Sequence, residues 1–485
     1  MDLKSLTTYL NQSIDTVQQT TSNLSDGLDS AWEKLLNERI CIGITGFSGS
    51  GKSSFITSLI YQLSNSNQAN LSSFSPAIQN RITDVKRLTL DGSEDSIFPY
   101  QQGINALSSS PALWPDSTKD LSSCLLEVSY QPHSKPMFSR KSEPLKKVLV
   151  EIRDYPGEWL LDIPLMDQSY YQWCLECSHR FNQPEIKILL GELLGDLATI
   201  DLMSQVDDQV VQLLNARYVT FLHSCKQAGL SLIQPGRFLL PDNQANELLP
   251  FVPLLGLTEL TEDLLSAAPE DSYFKQMQTR YDQYVKQRVK PFFEDYFNNV
   301  HRQVILVDVL KGLSKGETYL EDMRLALARV MDCYSYGSNN LYQRTFNPQI
   351  EQIIFVATKI DQVLPEQHEN IRSLLSSLVS NAYIESEMEG IDMSCEAVAA
   401  IRCTNRIKKN DKMALEGHTI EGEKGAMFHP DIPSELPVGD DWQQYENWQV
   451  QRLRPLANSD LTKGEKLDHI RMDTVINQLI GDKFK

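Results

Sequence analysis

The sequence has no hydrophobic run long enough to cross a membrane, since no segment approaches the roughly 20 apolar residues that a spanning helix needs. Its first residues, MDLKSLTTYLNQSIDT, lack the apolar centre of a secretion signal. Positive charge is in deficit: 45 Lys and Arg stand against 64 Asp and Glu, a net charge of −19. A surface of that sign repels phosphate backbones and anionic lipid, so nucleic acid is not expected as a general partner and membrane contact is not indicated. Cysteine is sparse and unpatterned. The eight cysteines fall mostly in apolar runs and read as reduced, buried thiols of a cytoplasmic protein. Cys174 and Cys177 form one CxxC, but a metal site needs about four ligands and no second pair completes it. Two core thiols on a helix is the plain reading. There is no internal repeat.

What is present is length and periodicity. At 485 residues the chain exceeds what one core serves, so two or more domains are expected, and 41% hydrophobic residues argue against wholesale disorder. Residues 1–37 carry Leu3, Leu6, Leu10, Ile14 and Val17 at helical spacing. RICIGIT (39–45) reads as a buried parallel strand, and Phe55, Ile56, Leu59, Ile60 and Leu63 then line one helix face. Residues 66–120 read as a polar excursion with little regular structure, followed by strands at 122–130 and 145–153. Residues 159–300 are mostly helical, with Pro291 interrupting a long amphipathic stretch. Strands at 303–310, 351–358 and 396–403 then alternate with helices at 318–334 and 366–384. Residues 408–465 read as acidic loops, and a helix at 468–481 closes the chain. Alternation of this kind predicts an α/β fold with a mainly parallel sheet flanked by helices. The expected division is a helical segment (1–37), a core in two parts (38–158 and 301–407), an all-helical insertion (159–300), a loop-rich insertion (408–465) and a final core helix (466–485).

Gly46-Phe47-Ser48-Gly49-Ser50-Gly51-Lys52-Ser53 matches GxxxxGK[ST] and lies between the first strand and a helix. The chemistry asks for these residue types. Backbone N–H groups of a tight loop at a helix N-terminus converge on a polyanionic phosphate chain, and glycines permit the close approach. Lys52 is the candidate for the terminal phosphates, Ser53 for Mg²⁺, and Ser54 adjoins them. After the strand at 148–152 comes Asp154-Tyr155-Pro156-Gly157, a DxxG in which Asp154 would serve the Mg²⁺ shell and the Gly157 N–H would sense a γ-phosphate. Thr118, before the strand at 122, is the candidate to complete the metal sphere, with Ser117 behind it. Thr358-Lys359-Ile360-Asp361 follows another apolar strand and resembles [NT]KxD. A carboxylate at Asp361 would accept from the N1–H and amine of guanine, donors that adenine lacks there. The backbone near Cys403 and Thr404, at the end of the last strand, is the candidate for the guanine O6.

Taken together, GFSGSGKSSFITSLI, WPDST, RDYPGEWLLDIPL, ATKID and AAIRCT resemble the YcjX-like family of stress-associated bacterial P-loop proteins. The resemblance implies a Ras-like core with extra helical parts, GTP and GDP as ligands, and a link to the phage-shock response. It names no protein effector or activating protein. Glu158 stands where Ras-type enzymes place a glutamine, and its charge opposes a γ-phosphate, so slow hydrolysis is expected. Arg87 and Arg153 are internal candidates for the missing cation. An ATPase or small-molecule kinase, and a scaffold that holds nucleotide without turnover, remain as alternatives.

Overall fold

β1 (Glu38–Gly46) is apolar on both faces, as a strand in the middle of a covered sheet must be. Ile40, Ile42 and Ile44 enter one core and Cys41 enters the other. The structure, a computed structural model, describes residues 38–66, 69–88, 96–117, 120–132, 145–239, 249–257, 260–335, 350–380, 391–456 and 460–484. The helices expected over residues 1–37 lie outside them.

Around β1 the sheet is built from β2 (Ile82–Leu88), β3 (Ser96–Ile97), β4 (Ser122–Tyr130), β5 (Lys146–Asp154), β6 (Arg302–Val307), β7 (Gln352–Ala357) and β8 (Asp392–Ala397). Its order is β2-β4-β5-β1-β6-β7-β8, with β3 beside β4. β5, β1, β6, β7 and β8 run parallel, and β4 pairs antiparallel with β2 and β5. α1 (Lys52–Ser64) packs on one face, where Phe55, Ile56, Leu59 and Ile60 meet Val304, Leu306, Ile354 and Val356. On the other face Ile305, Val307, Ile353 and Phe355 meet buried side chains of residues 309–334 and 371–379. The period of two in β6 and β7 separates the layers. This is the expected α/β architecture, a mainly parallel Ras-like sheet flanked by helices.

Several elements differ from the sequence reading, each for a local reason. Residues 66–120 contain β2 and α2 (Tyr100–Leu107). β2 is an edge strand with mostly exposed side chains, so burial imposed little pattern on it. The strand expected at 303–310 stops at Val307, because the Asp308 side chain accepts from Lys311 N at 3.1 Å and caps a helix. The strand expected at 396–403 is shifted to Asp392–Ala397. The apolar Val398, Ala399 and Ile401 beyond it are buried coil, held by reciprocal bonds between Ala399 and Ile470. The loop-rich reading of 408–465 missed an antiparallel sheet of β9 (Thr404–Lys409), β10 (Lys412–His418) and β11 (Lys424–Met427). Its first turn is Asn410-Asp411, with φ of 51° and 61°, the left-handed pair that a two-residue hairpin requires.

Between β5 and β6 the chain forms a third core of its own, drawn from residues 165–289. α3 (Tyr170–Phe181), α4 (Asp208–Ala228) and α5 (Tyr273–Tyr284) contribute to it, and the ring of Trp173 on α3 meets those of Tyr170, Phe251 and Tyr281. Pro291 does not end the last helix of this region. Wide π turns at Val285–Val289 and Phe292–Tyr296 flank it and absorb its missing N–H.

A buried strap, Gly157–Asp167, joins the sheet to these helices. Asp162 on it is fully buried, accepts from Gly236 N at 2.8 Å and from the Tyr284 hydroxyl, and faces Arg237. Burial pushes its carboxyl up to about 6 against the ordinary 3.8, with Arg237 and the hydrogen bonds pulling the other way. A raised carboxyl stabilises the fold below its unfolded value, and that contribution is lost as pH rises through the folded one. From pH 4 to 7 the native protein should therefore lose on the order of 2 kcal/mol relative to Asp162→Asn. Urea midpoints of both proteins across that range test this, and parallel curves would refute it.

Candidate functional site

The phosphate-loop residues stand at the C-terminal end of β1. Gly49 and Gly51 have φ of 84° and 87°, a region that side chains disfavour, and the turn that contains Gly49 closes with Ser50 N donating to Phe47 O at 3.0 Å. Ser48 and Gly49 are exposed, Ser50 and Ser53 buried, and Ser54 half-buried. Nothing lies within 4 Å of the position a Gly51 side chain would take, so the loop opens onto free space. Gly46 cannot carry a side chain, because one would meet Leu306 O at 2.7 Å.

Two further segments meet this loop. Lys52 Nζ stands 2.7 Å from Asp154 Oδ1, with the two side chains 11% and 1% exposed, and Ser122 Oγ donates to Asp154 Oδ2 at 3.2 Å. Gly157 presses against the loop so closely that a Cβ would stand 2.8 Å from the Gly46 carbonyl carbon and 3.2 Å from Phe47 N. From the far side, Lys359 Nζ donates to Gly49 O at 2.7 Å and pairs with Asp308 at 2.5 Å. Lys359 adopts φ 63°, Thr358 N donates to Val307 O at 3.0 Å, and Asp361 is buried. Asp361 Oδ2 accepts from Cys403 N at 2.6 Å, and the Thr404 hydroxyl donates to Asp361 O. Burial pushes the Asp361 carboxyl above the usual aspartate range, and the Cys403 N–H works against that shift. The TKxD segment and the Cys403 turn are thus in direct contact, and TKxD reaches the phosphate loop.

Other candidates are placed differently. The Glu158 carboxylate pairs with Lys226 Nζ of α4 at 3.0 Å, which aims it at the helical core. Arg153 bonds Glu151 and Tyr296 O, and Arg87 stacks over Tyr100 at 4.5 Å. Ser117 is exposed, and Thr118 lies outside the described residues. Cys174 is buried on α3 with Leu254 N at 3.4 Å from its sulfur, and burial pushes its thiol up to about 12. Sequence reasoning missed Asp308, Lys226 and Gly236. Asp308 was hidden inside an apolar run, although an Asp immediately before a helical stretch is a capping signal. Nothing local marks Lys226 or Gly236.

Residues 40–484 match the YcjX-like family, DUF463. The chain belongs to this family. It is 31% identical over 472 residues to a protein of Shewanella oneidensis named Ras-like GTPase YcjX, covering 94% of this chain and 97% of that protein. It is 32% identical over 474 residues to the Escherichia coli protein of the same name, covering 95% and 99%. Among the described residues, no helix is long and apolar enough to cross a membrane.

In this YcjX-like chain the contact of Gly157 with Gly46 is a close backbone joint of the site. Gly157→Ala should cost about 1–3 kcal/mol by forcing the loop and the DxxG turn apart. Gly195→Ala, on a helix where an added Cβ meets nothing within 4 Å, should be neutral or stabilising by up to about 1 kcal/mol. Chemical denaturation of both variants checks the contrast.

Proposed function

We propose that this chain binds GTP and GDP with Mg²⁺ at the loop Gly46–Ser53 and hydrolyses GTP slowly as a switch. The observation that carries the reading is the Lys359 ammonium on Gly49 O, which ties the base-recognition segment to the phosphate loop. A purine held at Asp361 would thereby have its phosphate chain over the loop. The names of the relatives support the same reading. Guanine is favoured over adenine because Asp361 is a buried carboxylate whose ligand must supply donors.

The residues present fit both ligands. Amides of the loop, with open space above Gly51, suit a polyanion. The Ser53 hydroxyl and Asp154 carboxylate are hard oxygen donors of the kind Mg²⁺ takes, with Thr118 as a further candidate. The ion, when bound, neutralises charge between phosphate oxygens. Lys52 would donate to the terminal phosphates, and the Gly157 N–H would register the γ-phosphate.

Glu158 is the reason for expecting slow turnover. Its pairing with Lys226 also favours a second reading, a nucleotide-holding scaffold without turnover. Phosphate release in a single turnover separates the two. An ATP-using enzyme is separated by competition of ATP against GDP. A part in the stress response rests on the family resemblance.

Lys52→Ala should weaken GDP binding at least about 100-fold, since a hydrogen-bonded charge contact and a point charge on the phosphates are both lost. Asp361→Asn should weaken GDP at least about 30-fold and raise affinity for xanthine diphosphate, whose base offers an acceptor where guanine has its amine. Calorimetry with both diphosphates tests the assignment, and unchanged GDP affinity in the second variant removes it.

A further inference from the structure

The mouth of the loop carries a cation that no motif announced. A side chain at Gly49 would lie 3.7 Å from Lys311 Nζ. Lys311 sits in the first turn of α6 (Val309–Lys315), where its own N–H donates to Asp308 Oδ1 at 3.1 Å. The same Asp308 holds Lys359, so one carboxylate positions both lysines at the loop. The Lys311 stem passes Gly229, at the C-terminus of α4, with Cε 3.6 Å from the position a Gly229 side chain would take. Its ammonium has no hydrogen-bond or ion-pair partner among the described residues.

That arrangement is unfavourable by itself. Half-burial and the repulsion of Lys359, Lys315 and Arg452 pull the Lys311 ammonium below its ordinary value, and Asp308 opposes them. A chain of net charge −19 has here gathered positive charge around an exposed, glycine-rich loop. Three other cations of this region are committed: Lys52 to Asp154, Lys226 to Glu158, and Lys359 to Asp308 and Gly49. Arg153 and Arg87 are bonded elsewhere.

We propose that Lys311 is a further phosphate-contacting residue of this site, a cation supplied from within the chain that donates to the nucleotide's phosphate oxygens from outside the loop. The proposal rests on the reading of the loop as a nucleotide site. An ammonium with three free donors beside a triphosphate would also stabilise the charge that develops as the terminal phosphoryl group leaves, the part an arginine plays in related chemistry.

The test is calorimetry on the full chain, with Mg²⁺, GDP and a non-hydrolysable GTP analogue at fixed ionic strength. Lys311→Met keeps the apolar stem and removes the donors, and should weaken the analogue about tenfold. Lys311→Arg should stay within about threefold of wild type, because charge and donors remain. Lys315→Ala, one turn further along, should change affinity less than about twofold. Wild-type affinity of Lys311→Met for both nucleotides would overturn the proposal while leaving the nucleotide site intact. Failure of the wild-type chain to bind either nucleotide would overturn the underlying reading as well.

Discussion

The ion pair between Lys52 and Asp154, 2.7 Å apart and almost wholly out of water, is the contact on which the rest of the site depends. It joins the start of α1 to the end of β5 across the central strand. Two charges leave water at a large cost, recovered only when geometry and further hydrogen bonds are good, and here Ser122 supplies one such bond to Asp154. Removing either partner would strand a buried charge, so the pair fixes the distance between loop and turn. Gly157 can then lie against Gly46, and both chain segments present backbone to the same small space. An ammonium has three donors, so Lys52 can hold Asp154 and still donate to a phosphate.

The strap beyond Gly157 makes this space matter elsewhere. Glu158 pairs with Lys226, and a side chain at Gly236 would collide with Glu158 O. Gln234 donates to Leu161 O at 2.5 Å, the Arg237 guanidinium lies 4.3 Å from the Trp159 ring centre, and Asp162 binds Gly236 and Tyr284. Each of these partners belongs to the helical region between β5 and β6. A displacement of Gly157 could not be taken up in a loose loop, because the next five residues are buried, with Glu158 bonded to α4, Leu161 to Gln234, and Asp162 to Gly236 and Tyr284. Close-packed joints of this kind move as units or not at all.

Local chemistry explains which parts of this were legible in the sequence. The GxxxxGK[ST], DxxG and TKxD segments are short motifs whose residues adjoin one another along the chain, and the apolar runs of β1, β6 and β7 are dictated by burial on both faces. Asp308 was not legible, since Val309 and Leu310 after it are as apolar as the strand before it, and only the cap distinguishes them. The Asn410-Asp411 hairpin carried a turn signal, but polar flanking strands with mostly exposed side chains concealed it. The Glu158–Lys226 pair spans 68 positions of sequence and a change of core, so no window along the chain could expose it.

Charge gives the last step. At physiological salt a charge is screened within roughly 8 Å, so the bulk excess of −19 is felt at long range only weakly, and what a phosphate meets at the loop is set by its neighbours. Those neighbours are cationic: Lys52, Lys311 and Lys359, with Asp154 and Asp308 holding two of them in place. An acidic surround of a cationic mouth raises the contrast between this one place and every other surface a polyanion could touch. The two carboxylates serve that contrast, because they fix lysines at the loop while Ser48 and Gly49 stay exposed.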